Sequence, residues 1–126
     1  MKSRLEPFHT NGKVVNPVDR GRFAEIPNML VDTGAEFTWI NAGTLEKIGV
    51  QREQKECTSV MANGERITRP VGFAIIHVGE AITIDEVIFG EPGDPQILGA
   101  RSLRGLNLRV DARAKKLVAG GPVLAA

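Results

Sequence analysis

Asp32-Thr33-Gly34 stands between two apolar runs, Met29-Leu30-Val31 and Phe37-Thr38-Trp39-Ile40. The first run reads as the end of a strand, where an ionised carboxylate is costly unless something holds it in place. Asp32 offers an acceptor, Thr33 a hydroxyl that can bond nearby backbone, and Gly34 a bare backbone that another chain can approach closely. The modest use of such an aspartate is an Asx turn on local backbone. The chemical use is general acid–base hydrolysis, in which one group takes a proton from water and another gives one to the leaving group. Two carboxylates sharing a proton do both, because their repulsion drives their apparent titrations apart. The chain holds a single Asp-Thr-Gly, and Val110-Asp111-Ala112 lacks the glycine that would make a second. The second carboxylate must come from elsewhere, and a two-fold homodimer contact through the Asp32 loop supplies it.

The elements that must position this loop are mostly strands. Phe23–Val31 is apolar enough for one, with Pro27 marking an edge or a bulge, and Phe37-Thr38-Trp39-Ile40 reads as another. Asn41 caps a short helix over residues 42–48, with Gly49 just past its end. Cys57-Thr58-Ser59-Val60-Met61 and Ile67-Thr68-Arg69 flank Asn63-Gly64, a dipeptide that accepts the positive φ angles of a tight hairpin. Residues 71–78 and 81–89 form a further pair around Gly79-Glu80. After the loop from Gly90 to Pro95, Ile97-Leu98 is a short apolar run ending at Gly99. Residues 100–106 can make one or two helical turns, and Leu108-Arg109-Val110-Asp111 with Lys116-Leu117-Val118-Ala119 close a last hairpin. The pattern predicts an all-β, mainly antiparallel domain with two small helices over residues 1–119, and a loosely held tail over 120–126.

At 126 residues the chain fits one domain. Sixteen basic against fifteen acidic residues give a formal charge of +1, which argues against nucleic acid or an anionic membrane as partner. Cys57 is the only cysteine, so no intrachain disulfide and no thiolate metal cluster is possible, and a reducing compartment fits best. The opening MKSRLEPFHTNGKVV has no continuous apolar stretch, and no run approaches the roughly 20 residues that span a bilayer. The protein therefore reads as soluble and cytoplasmic.

VDTGA at Val31 to Ala35, ILGA at Ile97 to Ala100 followed by a short helix, and the Asn63-Gly64 hairpin between them resemble the retropepsin-like aspartic proteases. They are most similar to the small bacterial and archaeal single-domain members. The likeness covers residues 13–118, and the ordered spacing of three elements is far more specific than Asp-Thr-Gly alone. It implies a closed, barrel-like β-fold whose two subunits clamp an extended peptide between paired aspartates and mobile hairpin flaps. Asp32 and its mate would then hold the lytic water without metal or organic cofactor, Thr33 would brace the two loops, and Gly34 would help fix the carboxylates and receive substrate. Ala35 and Glu36 would line the cleft, Glu36 where retroviral enzymes carry an aspartate that bonds the peptide backbone. Ala62, Asn63, Gly64 and Glu65 would form the flap tip, and Trp39 and Ile97 would shape side-chain pockets.

Two features depart from the retroviral pattern. Ala100 stands where those enzymes carry an arginine that makes an ion pair near the dimer interface, and the neighbouring Arg101 would point elsewhere. The flap tip Met61-Ala62-Asn63-Gly64-Glu65-Arg66 is more polar than their glycine-rich flap. His9 and His77 lack the neighbours of a metal site and read as surface or strand residues. Asp85 and Glu86 are adjacent on a strand, cannot form a dyad with each other, and fit a solvated face. Met29 and Met61 read as core filler. The leading expectation is a homodimeric aspartic endopeptidase; its rival is a noncatalytic dimeric peptide-binding domain of the same fold, which has no chemical reason to keep the whole triad.

Overall fold

The computed structural model describes residues 8–125. The reading of the first seven residues as carrying no targeting segment, and Ala126 of the tail, lie outside them. In chain order the elements are β1 (Phe8–Val15), β2 (Phe23–Val31), β3 (Thr38–Asn41), α1 (Ala42–Lys47), β4 (Glu56–Val60), β5 (Arg66–Val78) and β6 (Ala81–Gly90). They are followed by β7 (Ile97–Leu98), α2 (Ala100–Leu106), β8 (Leu108–Asp111) and β9 (Lys116–Ala119). The expected all-β class holds. Seven strands share one sheet in the order β1-β2-β7-β3-β6-β5-β4, and β1 also pairs with β5, so the pairing returns on itself and leaves β4 outside the ring. β8 and β9 form a separate two-stranded sheet. Most ladders are antiparallel; β2 with β7 and β3 with β6 run parallel.

Local chemistry explains the turns. On β2, Pro27 produces the expected bulge: partners step from Thr10↔Met29 to Gly12↔Ile26, which leaves an extra residue on β2, and Asn28 takes φ 58°. Asn11 Oδ1 accepts the Asn28 amide at 3.1 Å. At the start of α1, Asn41 Oδ1 accepts from Thr44 N–H at 3.3 Å, and Gly49 takes φ 81° just past its end. The β4–β5 hairpin does not use a two-residue turn centred on Asn63-Gly64. Gly64 N–H bonds Met61 O and Met61 N–H bonds Glu65 O, both at 2.8 Å, and at this tip only Gly64 has positive φ, at 86°. This is the longer loop of a turn followed by a left-handed glycine, with Asn63 Oδ1 accepting Glu65 N–H at 2.9 Å.

Ile67-Thr68-Arg69 and residues 71–78 form one strand rather than two. Pro70 has no N–H to donate, and the ladder changes partner there: Glu56↔Pro70 is the last β4 rung and Val71↔Ile88 the first β6 rung. β1 escapes the sequence pattern because polar residues interrupt it, yet its Gly12, Val14 and Val15 are buried.

The main core packs Val14, Ile26, Met29, Ile40, Leu45, Ala74, Ile76, Val87, Phe89, Leu98 and Leu103, among others, so Met29 is core as expected. A smaller cluster, Trp39, Val71, Ile88 and Ile97, lies apart from it. Asp85 and Glu86 do not lie on a solvated face. Their side chains are only 10% and 11% exposed, and Arg101 approaches both at 3.9 and 3.7 Å while Lys55 bonds Glu86 at 2.8 Å. Two cations from β-flanking segments make that burial tolerable.

Candidate active site

Asp32 is held at the end of β2 by the parallel β7. Leu30 N–H donates to Gln96 O at 2.9 Å and Asp32 N–H to Leu98 O at 3.2 Å. The carboxylate then makes the Asx turn: Oδ1 accepts Gly34 N–H at 2.9 Å, and Ala35 N–H returns to Asp32 O at 3.1 Å. The turn and the chemical use of Asp32 are therefore compatible, because Oδ2 makes no hydrogen bond among the described residues. Asp32 is half-buried, whereas Thr33 and Gly34 are exposed.

Helix α2 braces the same loop from below. Its first amides would lack partners in an isolated helix; Ala100 N–H instead bonds Ala35 O at 2.8 Å, and Arg101 N–H bonds Glu36 O at 3.1 Å. Close approach requires Gly99, since a Cβ there would lie 2.4 Å from the carbonyl oxygen of Phe37.

A cleft of about 470 Å³ opens beside Asp32. Of the residues expected at the site, Asp32, Gly34, Ala35, Glu36, Trp39, Ala62 and Ile97 line it. Thr33, Asn63, Gly64 and Glu65 do not; all four are exposed, Thr33 on the loop and the others at the hairpin tip. Sequence reasoning missed Phe37, Cys57, Thr58, Ser59, Val60, Met61 and Pro95 as lining residues. Met61, read as core filler, is one of them. A signal existed for Cys57 and Ser59, which are half-buried and alternate with exposed Glu56, Thr58 and Val60 along β4. Trp39 and Ile97 are direct cross-strand partners and both belong to the small cluster, so they are floor and packing at once.

Charge around the cleft is arranged in pairs. Glu36 Oε2 accepts from Arg104 Nη2 at 3.2 Å, with both side chains mostly exposed. Arg101 sets its guanidinium 5.0 Å from the Phe37 ring centre and approaches Asp85 and Glu86. Beside Pro95, Arg69 of β5 holds Asp94 through Nε to Oδ2 at 2.8 Å and Nη2 to Oδ1 at 3.3 Å. Glu91 N–H adds a bond to Asp94 Oδ2 at 2.7 Å. The Arg69 hydrogen bond holds the Asp94 carboxyl below the usual carboxylate range against the opposing effect of burial. The same bond raises Arg69. This two-pronged contact ties the hairpin strand to the loop that precedes Ile97.

Among the described residues, no three His, Cys, Asp or Glu side chains converge as a metal site. Nor is any described helix long and apolar enough to cross a membrane. His9 lies exposed on β1, and His77 lies on β5, where burial, with Lys13 and Arg20 nearby, lowers its pKa.

Residues 25–105 match the family described as "gag-polyprotein putative aspartyl protease", a span that contains the Asp32 loop, the β4–β5 hairpin and β7. No curated protein matches the chain. The match takes in most of the sequence and every cleft-lining residue, so the protein belongs to this retropepsin-like family, whose activity is aspartyl proteolysis and whose substrates are peptides.

Proposed function

We propose that the protein is a homodimeric aspartic endopeptidase of the small single-domain bacterial and archaeal type, working in the cytoplasm, with Asp32 and its symmetry mate as the catalytic pair. The observation that carries this reading is the state of Asp32: it stands at the mouth of a largely apolar cleft, with one carboxylate oxygen fixed by Gly34 N–H and the loop around it exposed. An exposed, internally braced loop suits an isologous contact, in which each Asp32 meets its own copy on the axis. The cytoplasmic assignment rests on the lone cysteine.

In the dyad one carboxylate is charged and the other protonated. The charged one takes a proton from water as its oxygen bonds the scissile carbonyl carbon, and the protonated one gives its proton to the carbonyl oxygen. The resulting gem-diol collapses as the first carboxylate passes its proton to the departing amine and the second takes a proton back from a gem-diol hydroxyl, which leaves a carboxylic acid and restores the starting dyad. Thr33 braces the paired loops, and the substrate lies extended along β4, whose outer edge pairs with no strand among the described residues.

The test is incubation of the purified protein with a diverse peptide library, read by mass spectrometry, with and without a statine-type transition-state mimic. Wild type should cleave and be blocked by the mimic, and Asp32→Asn should keep the dimer but lose cleavage by about 10³-fold or more. Cleavage that survives Asp32→Asn in clean protein would refute the assignment. Peptide capture without cleavage by wild type would favour the noncatalytic binding domain.

A further inference from the structure

Three polar side chains from three elements, the buried Thr38 of β3 and Ser102 of α2 and the largely buried Asp85 of β6, meet in one hydrogen-bonded chain that reaches Gly99. Thr38 and Ser102 are wholly buried, and their hydroxyl oxygens are 2.6 Å apart. Ser102 donates to Asp85 Oδ2 at 2.9 Å, and Gly99 N–H donates to Thr38 Oγ1 at 3.0 Å. A carboxylate only accepts and a hydroxyl has one proton, so the direction of the chain is fixed. Ser102 gives its proton to Asp85, Thr38 must give its own to Ser102, and Thr38 is left as acceptor for Gly99.

The end of this chain is one peptide unit from the catalytic loop. Leu98 C=O and Gly99 N–H are opposite edges of a single planar peptide, and Leu98 O is the acceptor for Asp32 N–H. Whatever orients Gly99 N–H therefore also orients the acceptor that holds Asp32. Asp85 is well placed to anchor it: its Oδ1 accepts Glu86 N–H at 2.8 Å and lies 3.9 Å from Arg101 Nε, so the carboxylate is fixed from both sides. In a buried chain each polarised bond strengthens the next, which lets the charge at Asp85 act at Gly99.

We infer that Asp85 is a positioning residue, whose carboxylate, through Ser102 and Thr38, orients the Leu98–Gly99 peptide and with it Asp32. Its consequence for catalysis rests on the protease reading above. Asp85→Asn removes the acceptor-only end: the carboxamide can present N–H to Ser102, and the direction of the chain is no longer unique. Thr38→Val keeps the shape of the side chain and removes the link to Gly99. Thr38→Ser keeps the hydroxyl.

The experiment measures peptide cleavage and amide hydrogen exchange on the full chain for wild type, Asp85→Asn, Thr38→Val and Thr38→Ser. Asp85→Asn and Thr38→Val should lower kcat by about 10-fold with KM changed less than about twofold, while Thr38→Ser stays within about threefold of wild type. In the first two variants the Asp32 and Gly99 amides should exchange about 10-fold faster or more, with those of Ile75 and Ile76 in β5 unchanged. Wild-type kcat in Asp85→Asn overturns the inference. So does unaltered protection at Asp32 and Gly99, or a loss of protection spread over the whole sheet. If wild type shows no cleavage that depends on Asp32, the protease reading fails, and the exchange data alone decide whether Asp85 positions the loop.

Discussion

Glu36, which lines the cleft, and Asp94, next to the cleft-lining Pro95, are both paired carboxylates, but their surroundings give the pairs different worth. The Arg69 and Asp94 side chains are each 14% exposed and share two hydrogen bonds, so losing the charge should be felt in stability. Asp94→Asn is expected to cost about 2 kcal/mol at neutral pH, measured by chemical denaturation. The pH dependence has a definite sign. The folded carboxyl titrates below its unfolded value, so its contribution is complete above that unfolded value, near about pH 4, and is lost as pH falls through the folded one. The stability gap between wild type and Asp94→Asn should therefore close in acid; a gap that widens there would contradict this assignment. Glu36 and Arg104 are mostly exposed, and such pairs contribute about 1 kcal/mol or less. Glu36→Gln should leave the melting temperature unchanged and act on KM, because Glu36 lines the cleft. The contrast also shows what the sequence could reveal at this scale. Asp32 was readable because its turn closes on Gly34, two residues away, whereas Asp94 meets Arg69 across 25 residues and Asp85 meets Ser102 across 17. Asp85 looked like a surface residue because nothing local announces its partners.

Among the elements, those with local punctuation were readable and those defined by their partners were not. β2, α2 and the β8–β9 pair have the expected bounds, since Pro27, Gly99 and the alternating hairpin strands mark them in the chain itself. β1 was missed because its stability comes from pairing with β2 on one side and β5 on the other, which no window over residues 8–15 can display. β5 was split at Pro70, where the structure changes partner without ending the strand. Two glycines carry opposite lessons. Gly64 has φ 86° in open space, so Gly64→Ala should cost only the left-handed backbone penalty, about 1 kcal/mol, and leave the cleft intact. Gly99 is hemmed in by the Phe37 and Ala35 carbonyls at 2.4 and 3.1 Å, and backbone cannot move aside as a side chain can. Gly99→Ala should cost about 3 kcal/mol or more and lower activity together with stability. Thermal melts of the two variants, recorded with their cleavage rates, separate these outcomes; equal effects would mean that α2 does not hold the Asp32 loop as described.

On the scale of the whole molecule, the fold positions what the proposed dimer would use as half of an active site. The returning sheet, the parallel β2–β7 contact and α2 bring Asp32 to one face of the chain, where the loop lies exposed. Composition and patterning were enough to predict the all-β class, but not the strand order, in which β7 slips between β2 and β3. A two-residue strand has too few side chains to announce where it inserts. The proposed dimerisation through the Asp32 loop would make activity a property of pairs. Per-chain activity should therefore fall on dilution, and a gel-filtration series run beside the assay should show the monomer appearing over the same concentrations. The most direct test mixes wild type with Asp32→Asn, lets subunits exchange fully, and follows cleavage against the wild-type fraction. If both Asp32 residues of a pair are required, activity falls with the square of that fraction, and an equal mixture keeps about one quarter of the wild-type rate. A linear fall, with about one half remaining, would show that each chain acts alone and would contradict a shared dyad.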